Sequence, residues 1–172
     1  MIKVWDPVVR VLHWSLVALF VVAWQSPLRS DLVHEWSGYA CLMIVTARVL
    51  WGMWGGPHAR FSAFLRSPSA TARYVRALAG GRAPRYAGHN PLGGWMIVAL
   101  LATMAVVCVT GWMFTTDRFW GVAWVRTTHD LGTDILLGLI AVHIFGNAAM
   151  SILHRENLIA AMWHGRKRAG GI

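Results

Sequence analysis

Four stretches of this chain, at about residues 7–24, 34–54, 93–114 and 129–153, stay apolar for the roughly 20 residues of helix that cross a hydrocarbon core. Nothing in the sequence constrains the fold more. Backbone in lipid must satisfy its own hydrogen bonds, and a continuous apolar run does so as a helix. A membrane β-barrel needs alternating apolar and polar residues, which these runs lack. Composition agrees: 56% of the 172 residues are hydrophobic and only 13% charged, against roughly 25% charged in soluble domains. The chain reads as an all-α integral membrane protein, one domain over residues 1–172. The first run reads as a retained helix rather than a cleaved leader, because it carries His13 and tryptophans and no small-residue cleavage site follows Gln25.

Helix-start chemistry marks the same boundaries. Asp6-Pro7 and Asn90-Pro91 each set an N-cap side chain before a proline suited to the first turn. Thr127 with Asp130 has the spacing of a capping box. Connections of about nine and fourteen residues on one side and about thirty-eight on the other predict an up-down four-helix bundle. Segment 69–79, within the long connection 55–92, predicts an amphipathic helix on the membrane surface.

Orientation follows from the basic residues, which are retained on the cytoplasmic side. Lys3, Arg10, Arg60, Arg66, Arg73, Arg76, Arg82, Arg85, Arg155, Arg166, Lys167 and Arg168 fall on one side of the expected spans, and Arg29, Arg118 and Arg126 on the other. Both termini and loop 55–92 are therefore expected in the cytoplasm. The net charge of +9 is then mostly a topology signal with an attraction to anionic lipid, and no nucleic-acid partner is expected. Cys41 and Cys108 fall within spans as small apolar fillers. Trp24, Trp36, Trp95, Trp112, Trp120 and Trp124 lie near span ends, as interfacial anchors do.

Four histidines lie in the spans. His129 and His143 are fourteen residues apart, which at about 1.5 Å and 100° per residue separates them by about 21 Å along the helix with directions about 40° apart. They share one face at two depths. Alternating helices bring His13 to the level of His143 and His34 to the level of His129. Imidazole pairs projecting into a bundle at two levels are what two bis-histidine haem b groups require as axial ligands. A single intramembrane histidine is also compatible with a helix-helix hydrogen bond or a proton relay, and the set with a transition-metal site. Gly38, Gly132 and Gly146 follow His34, His129 and His143 by three or four positions, where a flat macrocycle needs clearance, although glycine also serves ordinary helix contacts. Arg48 lies fourteen residues past His34, facing the interior at the inner level, where a guanidinium suits a haem propionate or else snorkels to the interface. Arg10 is a second such candidate. His154, Arg155 and Glu156 lie where quinone protons would be handled, in a boundary cluster equally suited to simple solvation, and no quinone residue is assigned.

The segments VWDPVVRVLHW, HEWSGY, RVLWG, GHNPLGGW and HDLG…VHIFG…LHRENL together resemble the bacterial cytochrome b561 family, which includes the b-type cytochrome subunits of membrane hydrogenases. The resemblance covers nearly the whole chain. It implies two haem b groups, His13 with His143 on the cytoplasmic side and His34 with His129 on the periplasmic side, and quinone or quinol as a redox partner. Hydrogenase-linked members usually have larger outer loops and often an extra span. The expectation is therefore a stand-alone quinone cytochrome, possible as a homodimer, serving a periplasmic haem protein, ahead of an anchor for a respiratory enzyme subunit. A histidine-lined metal-ion transporter is the alternative of another class. A reporter fused after Ile172 is predicted to be active only in its cytoplasmic form; activity of a periplasmic-only reporter there would reverse the orientation.

Overall fold

The computed structural model describes residues 2–28, 30–86 and 88–167. Arg29 and Arg168, which enter the orientation argument, lie outside the described residues. In order along the chain the elements are β1 (Ile2–Lys3), α1 (Pro7–Gln25), a 3-10 turn (Ser26–Leu28), α2 (Asp31–Trp54), α3 (Phe61–Phe64), α4 (Pro68–Ala79), α5 (Pro91–Phe114), α6 (Ala123–Leu153), α7 (Leu158–His164) and β2 (Arg166–Lys167). The protein is mostly helical and integral to a membrane. Among the described residues, α1, α5 and α6 are long and apolar enough to cross one. α2 has 24 residues, as α5 does, but acidic residues at its start and Arg48 in its course lower its hydropathy.

The caps explain where helices begin. Asp6 Oδ1 accepts from Val8 N at 2.8 Å and Val9 N at 3.2 Å, and Asn90 Oδ1 accepts from Gly93 N at 2.7 Å, so both Asx-Pro starts form as expected. The Thr127–Asp130 capping box does not form. α6 begins four residues earlier, at Ala123, just after Gly121 turns the chain at φ 73°. Thr127 is thus inside the helix, and Asp130 faces Arg126 across one exposed turn at 3.6 Å. A glycine in the left-handed region stops one segment and frees the next to start, and this local signal outranks the cap spacing.

Two compact units divide the chain. The second, Val11–Val49 with Ala99–Ile140, has its core in Cys41 and Val45 of α2, Met104 and Cys108 of α5 and Leu136 of α6, with Leu16, Leu19 and Phe20 of α1 packed against them. Four helices share this apolar centre, and both cysteines are fillers within it. The helices' outer faces are apolar as well: Val11 is 65% and Met43 70% exposed, an arrangement that suits lipid and not water.

The first unit, Met1–Arg10 with Leu50–Val98 and Ala141–Ile172, is clasped by its ends. β1 pairs antiparallel with β2, Ile2 opposite Lys167 and Lys3 opposite Arg166. Val4 N and Trp5 N both donate to Gly165 O, at 3.0 and 3.2 Å. Gly165 caps α7 at φ 82°, and a Cβ there would also meet the Arg10 guanidinium at 2.9 Å, so only glycine suits both demands. Expected segment 69–79 is α4, capped by Ser67, whose side chain accepts from Ala70 N, and with Tyr74 buried. Burial pushes the Tyr74 hydroxyl above its usual range, with the nearby Tyr86 adding to the shift.

Asp6 also accepts from Trp51 Nε1 at 3.2 Å, joining the α1 cap to the end of α2. Asp6→Ala is predicted to lower unfolding stability by about 1–2 kcal/mol, with Asp6→Asn retaining most of it, as read by thermal denaturation in detergent.

Candidate functional site

His34 sits in the first turn of α2 and His129 in the second turn of α6, both half-buried within the second unit. Each ring is anchored through Nδ1. His34 Nδ1 lies 2.8 Å from Ala23 O, one of the four carbonyls that the end of α1 leaves without an intrahelical partner. His129 Nδ1 lies 2.9 Å from Val107 O in α5, with Thr110 Oγ1 at 3.3 Å. A carbonyl oxygen only accepts, so both Nδ1 atoms carry the proton. Nε2 of each ring is then left with its lone pair, the form in which imidazole binds a metal.

The two rings have centroids 6.1 Å apart and planes inclined at 77°. Imidazoles on opposite sides of one metal, with bonds near 2 Å, place their ring centres roughly 6 Å apart. The residues present therefore fit an iron held between two histidines. Gly38, one turn after His34, has nothing within 4 Å of an added Cβ. Gly132, one turn after His129, is different: it is buried, and a Cβ there would stand 3.0 Å from Val107 Cγ2, so it serves the approach of α6 to α5. Gly111 of α5 makes room for the His129 ring itself, since a Cβ there would stand 3.1 Å from the ring's Cε1.

His13 belongs to the second unit and His143 to the first. The His13 ring meets Trp14 edge-on at 5.0 Å. His143 is half-buried, and Asn147, one turn on, donates from Nδ2 to the His143 carbonyl at 2.8 Å and approaches its Nε2 at 3.1 Å. Gly146, in the same unit, has open space where a Cβ would be. Arg48 is buried, 7% exposed. Arg10 is engaged elsewhere, donating from Nε to Met162 O at 3.2 Å and from its terminal nitrogen to Trp163 O, where it neutralises the carbonyl end of α7.

At the end of α6, Glu156 is buried and ion-paired with Arg85 at 2.8 Å, while Arg155 is exposed with φ 50° and His154 half-buried. Lys167 is also buried, with Nζ 5.1 Å from the Trp5 ring centroid and 3.4 Å from Gly88 O. Burial pushes the Lys167 ammonium below its ordinary range, opposed in part by Glu156 and reinforced by Arg85. His89 is half-buried between Trp5 and Phe64, its ring tilted against both, with centroids 4.6 and 4.9 Å away. His164 Nδ1 accepts from Arg166 N at 3.1 Å.

Sequence reasoning missed the anchors of the histidines. Asn147 carried a signal in its four-residue spacing from His143. Gly111 and Thr110 carried none, because they are set opposite His129 by helix packing and not by chain spacing.

Apolar, lipid-matched helices that bring two half-buried imidazoles together define a helical membrane protein. The chain belongs to the prokaryotic cytochrome b561 family, whose sequence model matches residues 4–165. It is accordingly a membrane haem b electron-transfer protein. No curated protein and no solved structure matches it.

Proposed function

We propose that the protein carries electrons through two haem b groups between membrane quinone or quinol and a periplasmic haem protein, as a four-helix up-down bundle in a bacterial inner membrane with both termini in the cytoplasm. The observation that carries this reading is the His34–His129 pair, with both Nδ1 protons held by backbone carbonyls and the ring centroids 6.1 Å apart. Two nitrogen ligands complete an iron whose other four come from a macrocycle, whereas a bare transition-metal ion takes three or four protein ligands. The second haem is assigned to His13 and His143 because His143 lies fourteen residues past His129 on the same helix, because alternating helices would bring His13 to its level, and on the family resemblance.

Haem b supplies a one-electron iron couple, and the chain supplies ligands, spacing and electrostatics. His34 and His129 would hold the outer group in the ligand-competent tautomer. Leu136, Met104 and Val45 keep water out of the core beside them. Arg48, as a fixed buried cation, would pair with a propionate of the inner group and favour its more electron-rich state. Arg10, the second candidate for a propionate, has its guanidinium on the carbonyl end of α7.

A reduced-minus-oxidised spectrum with a haem count tests the reading directly: two b-type haems per chain are expected, and a colourless protein that binds divalent metal would overturn it in favour of transport. His34→Ala and His129→Ala should each reduce the count to one, and the double variant should reduce it no further. Loss by His34→Ala of the haem that His13→Ala removes would overturn the pairing. Arg48→Gln should lower the midpoint potential of the His13–His143 haem by on the order of tens of millivolts and leave the other nearly unchanged. Equal shifts in both, or none, would remove Arg48 from the inner site.

A further inference from the structure

α5 contains no histidine, yet it meets the His129 ring through three residues of one turn. Val107 O receives the His129 Nδ1 proton at 2.9 Å, Thr110 Oγ1 lies 3.3 Å from the same nitrogen, and Gly111 leaves open the space against Cε1. These residues make one turn of α5. Thr110 is buried, and its own proton goes to the helix, Oγ1 donating to Val106 O at 2.7 Å with Val107 O at 3.0 Å, so towards His129 it is an acceptor. The Nδ1 proton is therefore shared between a carbonyl and a hydroxyl. His34 Nδ1 instead meets the Ala23 carbonyl near the end of α1, which Ser26 Oγ also uses.

We propose that Gly111 and Thr110 are positioning residues for the axial ligand His129, so that α5 sets the geometry and affinity of the outer haem site without supplying a ligand to it. The inference rests on the haem reading above and deepens it. Cε1 is the ring carbon between the two nitrogens. A Cβ at residue 111, 3.1 Å from Cε1 and 3.4 Å from Nδ1, would displace the ring by a few tenths of an ångström, moving the donor off Val107 O and turning the Nε2 lone pair together. Groups that orient a ligating histidine through its other nitrogen typically govern metal affinity by about 10–100-fold.

A glycine kept only for helix packing and one kept for the ring respond differently to Gly111→Ala. Alanine favours a helix interior over glycine. If His129 is the reason for glycine, the variant should remain folded and keep the His13–His143 haem, while its affinity for the His34–His129 haem falls about 10–100-fold and that haem's midpoint potential and low-spin resonance signal shift. Thr110→Val should weaken the same haem alone, and Thr110→Ser, which restores the hydroxyl, should recover it. The measurements are haem retention under competition with apomyoglobin, a redox titration and electron paramagnetic resonance, none of which needs a turnover assay. A Gly111→Ala protein that keeps both haems with unchanged potentials, or loses both together, overturns the positioning role. A wild-type protein from which His129→Ala removes no haem overturns the haem reading itself, and the two failures are thereby distinct.

Discussion

An imidazole proton in hydrocarbon needs an acceptor, because an unmade hydrogen bond there costs on the order of several kcal/mol and no water can supply one. The second unit meets this demand with main-chain oxygens. His34 uses the Ala23 carbonyl near the end of α1, which also accepts from Ser26 Oγ, and His129 uses the second lone pair of a helical carbonyl in α5. The same bonds that make two polar rings tolerable in an apolar core also choose their tautomer. Stability and ligand chemistry thus meet in one interaction. Had the rings been held through Nε2, the fold could have been equally stable, but the exposed lone pairs would have pointed from the atom nearer the backbone.

The packing around the pair follows from that arrangement. Gly132 and Gly111 let α5 and α6 approach closely, one against Val107 and the other against the His129 ring. Cys41, Val45, Met104, Cys108 and Leu136 fill the space between helices with side chains that make no polar demand. A membrane interior offers no hydrophobic drive for helices to associate, so close contact at small residues and satisfied hydrogen bonds must do it. Both are present here at the same turn of α5.

The first unit obeys the opposite physics. Its core is small, Val4, Trp5 and Ala161 with Met162, and it is held by caps, an end-to-end strand pair and the Arg85–Glu156 bridge. Glu156 is the buried partner of that bridge and the Arg85 side chain is 28% exposed, so removing Arg85 would strand a buried carboxylate. Arg10 belongs to this system, although its position one turn from His13 made it a candidate for a cofactor. The carbonyl end of α7 is the nearer negative end for it.

The apolar runs and the Asx-Pro helix starts were determined by the sequence alone, because each depends on residue order within one helix. The start of α6 was misread from Thr127 and Asp130, since a glycine turn at Gly121 decided it six residues upstream. The partners lay beyond any local rule: Val107 O and Thr110 facing His129, Gly132 turned to α5, Arg10 drawn to α7 and Glu156 buried with Arg85. Periodicity says which face of a helix a side chain occupies. Which atom waits opposite that face depends on how far each helix rotates and slides to fill the common core, and only the packed structure decides that.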